Sequence, residues 1–170
     1  MKIFKAILRT TAFLLLVSQP AFAEEESKAP EVEQFGDWGR QCNTTPAGDE
    51  LCFIFQNFHK EDTKQLLMSV RVFYPKDQKQ PAMSVTLPLG ILLPAGASMM
   101  MNDVELVKMA YLACTQEGCV TAPILLEDNV VTALKKGVEV SVRIAALNKQ
   151  IIGLPVSLMG FTKAMKSITP

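Results

Sequence analysis

The chain has 170 residues, in which 17 basic side chains balance 17 acidic ones. This length is typical of one domain with its own hydrophobic core. Three of the basic residues lie within the first 23 positions, and no cluster of Lys or Arg follows, so nucleic-acid binding, which depends on neutralised phosphates, is excluded.

Residues 1–23 have the pattern of a cleavable signal peptide. Three basic residues precede the apolar run 12–17, and Ala21-Phe22-Ala23 matches the small-x-small cleavage motif. The run is shorter than the roughly 17 to 25 residues that span a bilayer. Glu24, not Cys, follows the cleavage point, so we expect neither a transmembrane nor a lipid anchor in the mature chain.

The mature chain is predicted to begin with a flexible acidic leader, residues 24–34, because this segment lacks an apolar period. From residue 35 onwards, short segments with a period of two predominate, which is typical of strands with one apolar face. We predict strands at 38–42, 51–58, 68–74, 82–87, 98–101, 105–113, 119–124, 138–144 and 152–158. Pro155 lacks an amide hydrogen, so it places the last strand at a sheet edge or in a bulge. The frequent short strands predict a single β-sandwich domain over residues 35–170.

Two segments have helical patterns. Residues 127–137 begin with acids and end with Lys135, Lys136 and Gly137, which favours a short crossover helix. In the C-terminal segment 161–168, apolar residues recur at helical spacing, which predicts a helix packed over one end of a sheet.

The four cysteines all follow the leader: Cys42, Cys52, Cys114 and Cys119. An even number of cysteines in an exported chain indicates disulfides. Three pairings are open, of which we favour the local one, Cys42 with Cys52 and Cys114 with Cys119, because each pair closes a short polar loop. Metal or redox sites are the alternative, but the spacings are not those of such motifs.

The sequence contains no recognisable catalytic set. The single histidine, His59, lies at a predicted strand end, and no G-x-S-x-G motif accompanies it. The adjacent acids Glu61-Asp62 and Glu127-Asp128 are expected to face solvent or to cap a helix. We therefore predict no enzymatic activity, no catalytic residues and no cofactor.

The run Met99-Met100-Met101 leaves one ligand-binding hypothesis open, since thioethers bind Cu(I). Consecutive residues on a strand point to opposite faces, so we favour a packing role for these methionines and predict no metal site. A periplasmic carrier of a metal or small ligand, using the methionines and His59, is the alternative function.

The order of short motifs in the mature chain resembles that of the invasion-associated locus B family of exported bacterial proteins. The matching motifs are Phe35-Gly36-Asp37-Trp38 followed by Cys42, then 52–56, 85–90, 93–96, 114–119, 134–137, 154–158 and Gly160-Phe161. One departure is Gly39, which follows the tryptophan at a position where a β-branched residue is more usual.

The resemblance implies an immunoglobulin-like antiparallel β-sandwich in the periplasm or outer envelope of Gram-negative bacteria. Secretion into the medium is the alternative location of an exported chain. The resemblance also implies a link to host-cell entry and no catalytic residues. We therefore expect a non-enzymatic protein that binds a protein or cell-surface partner, with edge strands and disulfide loops as natural contact sites.

Overall fold

The computed structural model describes residues 31–45 and 48–170. The predicted signal peptide and residues 24–30 of the predicted leader lie outside the described residues. The predicted end of the leader, residue 34, is wrong, because Val32–Phe35 is a strand paired with residues 38–41. Gly36, with φ of 62°, makes the tight turn of this hairpin. The pairing of the two strands uses backbone hydrogen bonds, so it requires no apolar period in the sequence.

The fold is an antiparallel β-sandwich, as predicted, with one 8-stranded and one 4-stranded sheet. The strands in chain order are β1 (Val32–Phe35), β2 (Trp38–Thr44), β3 (Glu50–His59), β4 (Leu66–Phe73), β5 (Ala82–Leu87), β6 (Ala97–Met101), β7 (Val104–Met109), β8 (Tyr111–Thr115), β9 (Gly118–Thr121), β10 (Ile124–Leu125), β11 (Glu139–Ala145) and β12 (Ile151–Ser157). The large sheet has the order β1-β2-β3-β4-β5-β9-β8, with β10 also paired to β5, and the small sheet has the order β12-β11-β6-β7. The strand that contains Pro155 is an edge strand, which is one of the two alternatives that its missing amide hydrogen left open.

One predicted strand, residues 105–113, is two strands that belong to different sheets. β7 pairs with β6 in the small sheet, whereas β8 pairs with β9 in the large one. The chain changes sheets at Ala110, whose carbonyl accepts a hydrogen bond from the Ala122 amide at 2.8 Å. An apolar period of two continues through such a corner, so it does not reveal the change of sheet. In the same way, the predicted strand 119–124 is divided into β9 and β10.

The two predicted helices are confirmed. Helix α1 (Asp128–Lys136) has Asp128 in its first turn and Lys135 and Lys136 in its last, which suits the helix dipole. Helix α2 (Phe161–Ile168) buries one apolar face. Its Phe161 ring meets the Trp38 indole edge to face, with ring centroids 5.0 Å apart, so the helix closes one end of the core.

A buried polar junction joins the two sheets beside this aromatic pair. The Gln56 side chain, on β3, is only 5% exposed. Its amide nitrogen donates to the carbonyls of Asp37 and Ser157 at 3.1 and 3.2 Å, and its oxygen accepts from the Ser157 amide at 3.0 Å. The Trp38 indole donates to the same Ser157 carbonyl at 2.9 Å. One carboxamide therefore fixes β12 of the small sheet against β3 of the large one.

We expect Gln56→Leu to lower the free energy of unfolding by about 2 to 3 kcal/mol, because the Asp37 carbonyl and the Ser157 amide lose their partner in a water-poor site. Urea unfolding followed by Trp38 fluorescence measures the loss. Gln65→Leu is the control, since Gln65 is exposed and its replacement should change stability by less than about 0.5 kcal/mol. Equal effects of the two substitutions would contradict the role of the junction.

Candidate functional site

The outward face of the large sheet carries aromatic side chains. Along β3, Ile54 and Gln56 are buried in the sandwich, so the alternation of a strand points Phe53 and Phe55 outwards. Both rings are partly buried where an outward face would ordinarily carry polar side chains. This unusual composition makes the face the main candidate for a functional site.

Two residues of β4 complete the cluster. Phe73 pairs with Phe53, and Arg71 pairs with Phe55, across the β3–β4 ladder. The Phe53 and Phe55 ring centroids are 5.9 Å apart, and the guanidinium carbon of Arg71 lies 5.5 Å from the Phe53 centroid, at cation–π distance. We call Phe53, Phe55, Phe73 and Arg71 the aromatic face.

The aromatic face lines a shallow groove of about 390 Å³. Its other lining residues are Gln41, Asn43, Leu51, Asn57 and Ser84. The Gln41 amide donates to the Asn43 side-chain oxygen at 2.8 Å, so two carboxamides are held together at one side. Arg71 is the one charged residue of this lining, and no ion pair engages it within residues 31–45 and 48–170.

Gly39 provides the space that Phe55 occupies. A Cβ atom at position 39 would lie 2.8 Å from Phe55 Cζ and 3.1 Å from Val32 Cγ1. Any side chain there would therefore displace the end of the phenyl ring. The glycine at position 39 therefore allows the Phe55 ring to lie across β2.

None of the residues of the aromatic face was identified from the sequence. The one signal in the sequence was the run from Leu51 to Phe55, in which every residue is apolar. A strand with this sequence has apolar side chains on both of its faces. Arg71 and Phe73 had no such signal, because their proximity depends on strand register.

The predicted disulfide residues lie on paired strands. Cys42 is bonded to Cys52 directly across the β2–β3 ladder, with Cα atoms 4.0 Å apart. Cys114 is bonded to Cys119 across β8–β9, with Cα atoms 3.9 Å apart. This is the local pairing that their spacing favoured. The described residues include one compact group of metal-ligand types, Cys42, Glu50 and Cys52, but its two sulfurs are joined to each other and are not thiolates.

The residues of the metal-carrier hypothesis are not gathered together. Met99 is 1% exposed within the core, whereas Met100 lines surface grooves on the other face of β6. His59 is exposed at the end of β3, in the other sheet. The geometry therefore gives no support to a shared site for the methionines and the histidine.

The acidic pairs are also dispersed. Asp62 forms an exposed ion pair with Lys60 at 3.1 Å, and Glu127 and Asp128 are exposed at the start of α1. Burial raises the pKa of the Tyr111 phenol, whose hydroxyl has no hydrogen-bond partner among the described residues. These groups lie on separate elements and do not form a nucleophile with an adjacent base.

Gly39→Val should displace the Phe55 ring from β2 while the domain stays folded, because valine suits a strand and the obstructing atoms belong to a side-chain end. We expect the free energy of unfolding to change by less than about 1 kcal/mol. NMR contacts between the Phe55 ring and residue 39 measure the displacement. Gly153→Val, at an exposed position of the edge strand β12, is the control and should leave the Phe55 signals unchanged. An undisturbed ring in Gly39→Val would refute the proposed packing.

Mass spectrometry of a non-reduced tryptic digest tests the disulfides. With the local pairing, each bridge stays within one tryptic peptide, 41–60 or 109–135, and that peptide is lighter by two hydrogen atoms than its reduced form. A product that joins the two peptides would show that the pairing is wrong.

The comparisons with known proteins agree on one family. The family model described as invasion associated locus B (IalB) protein matches residues 38–169. Two invasion protein B homologues, from Brucella abortus strain 2308 and from Brucella abortus biovar 1 strain 9-941, are each 27% identical over 171 residues. Each alignment covers 99% of this chain and 97% of the relative.

A solved structure supports the fold. The crystal structure of invasion associated protein B from Bartonella henselae superposes with a TM-score of 0.72 and 21% identity, over 81% of this chain and 94% of the other. None of the helices in the described part of the chain is long and apolar enough to cross a membrane. Because the family model spans most of the sandwich domain, the chain belongs to the invasion associated locus B family.

Proposed function

We propose that this protein is an exported, non-enzymatic binding protein that contacts a cell surface through the aromatic face and acts in host-cell entry. The names of its relatives, which are invasion proteins, support a role in entry. The single observation that carries the binding role is the cluster of three phenyl rings and a guanidinium on the outward side of the large sheet.

The cluster favours binding because apolar rings left in contact with water cost free energy. Partly exposed aromatic rings bordered by polar side chains are typical of interaction sites, because a partner removes the apolar surface from solvent. Aromatic and arginine side chains supply a disproportionate share of binding energy where they occur in interfaces. The polar residues Gln41, Asn43, Asn57 and Ser84 form such a border here.

Export to the periplasm or outer envelope is supported by two independent features. The first 23 residues have the pattern of a signal peptide, and the two disulfides suit an oxidising compartment. The non-enzymatic assignment is supported by the groove's chemistry. Its lining has one hydroxyl, that of Ser84, and no imidazole, thiol or carboxylate, so Ser84 has no base beside it.

Binding of the fluorescently labelled protein to cultured mammalian cells, measured by flow cytometry, tests this function. We expect saturable binding that the double substitution Phe53→Thr, Phe73→Thr reduces about tenfold or more, since threonine suits a strand but removes the rings.

Leu112→Thr is the matched control. Leu112 is 66% exposed on β8, away from the groove, and its replacement should leave cell binding unchanged. Circular dichroism must show that all variants are folded. If the double variant binds cells as well as the unmodified protein, or if the unmodified protein does not bind, the proposed function is wrong.

A further inference from the structure

We infer that the groove of the aromatic face binds an acidic sugar: a pyranose with a carboxylate, presented in a surface oligosaccharide. This inference rests on the proposed binding function and names the chemistry of the ligand. Three separate observations lead to this inference: the chemical composition of the groove, the hydrogen-bonded carboxamides of Gln41 and Asn43, and the positive charge of Arg71.

The composition of the groove matches a sugar ring better than a protein surface. A pyranose has an apolar face of C–H groups and a rim of hydroxyls, so it needs flat apolar surface beside hydrogen-bonding groups. The groove offers three phenyl rings, whereas Leu51 is its one aliphatic side chain. Its carboxamides are neutral, so they bind hydroxyls without the desolvation cost of a charged group.

The Gln41–Asn43 pair provides a donor and an acceptor in fixed positions. The hydrogen bond between the two side chains uses Gln41 Nε2 and Asn43 Oδ1. It leaves Gln41 Oε1 as an acceptor and Asn43 Nδ2 as a donor at the border of the groove. Two neighbouring hydroxyls of a sugar can supply the complementary donor and acceptor at once.

Charge complementarity indicates that the sugar is acidic. Arg71 is the groove's one charged side chain, and its contact with the Phe53 ring holds the guanidinium in place without using its N–H groups. Lys76 and Asp49, which lie outside this lining, neutralise each other in an ion pair with Nζ and Oδ2 3.1 Å apart. A carboxylate accepts two parallel hydrogen bonds from a guanidinium, the strongest match available to this group.

Titration calorimetry with the full exported protein tests the inference. The probe is a tetrasaccharide of alternating glucuronate and N-acetylglucosamine, and the matched neutral probe is the tetrasaccharide of N-acetylglucosamine alone. We expect the acidic probe to bind at least tenfold more tightly. Arg71→Gln should remove this preference, whereas Lys166→Gln, on the exposed side of α2, should preserve it.

The requirement for a flat ring separates a sugar from a protein partner. Phe73→Leu keeps apolar area but loses the planar surface, so it should weaken sugar binding about tenfold, while Phe73→Tyr should retain it. A hexaglutamate peptide provides the acidic protein-like probe, and we expect no binding of this peptide in the same concentration range.

Three results would overturn the inference. They are binding of hexaglutamate but not of the sugar, equal binding of the acidic and neutral sugars, and full sugar affinity in Arg71→Gln. Each leaves the proposed function standing if cell binding still depends on Phe53 and Phe73. If the protein binds the sugar but fails the cell-binding experiment, the cell-surface role is wrong and the assignment of an acidic sugar as the ligand stands.

Discussion

The Gln56 carboxamide is the contact on which the arrangement of the two sheets depends. Apolar packing holds the sheets together, but it has no direction and permits them to slide. The bonds from Gln56 to Ser157 and Asp37, with the Trp38 indole on the same Ser157 carbonyl, have strict geometry and so select one alignment. A buried carboxamide is tolerated because every one of its bonds in this site is to backbone.

Strand β3 links this junction to the groove. Gln56 points inwards, and its neighbour Phe55 points outwards, so the residue that aligns the sheets also fixes the backbone that carries the aromatic face. The Cys42–Cys52 bridge holds the other end of the same strand, next to the groove residues Asn43 and Leu51, which pair with each other. The rings are therefore presented on a rigid surface, which lowers the entropy lost on binding.

The aromatic face depends on the absence of a side chain at position 39. Gly39 leaves the room over β2 that the Phe55 ring fills, and a side chain at this position would occupy it. A single side chain at position 39 would therefore change the surface that the sandwich presents. Fold and family membership consequently do not specify a ligand, which must be argued from the site itself.

The sequence by itself determined the sandwich class and both helices, and it limited the Pro155 strand to an edge or a bulge, because periodicity, caps and a missing amide hydrogen are local properties. It also favoured the disulfide pairing that the fold contains. Only the tertiary structure decided that residues 105–113 divide between two sheets, and that Arg71 and Phe73 lie beside Phe53 and Phe55. Those neighbours are set by the register between strands distant in sequence, for which no local pattern encodes the partner.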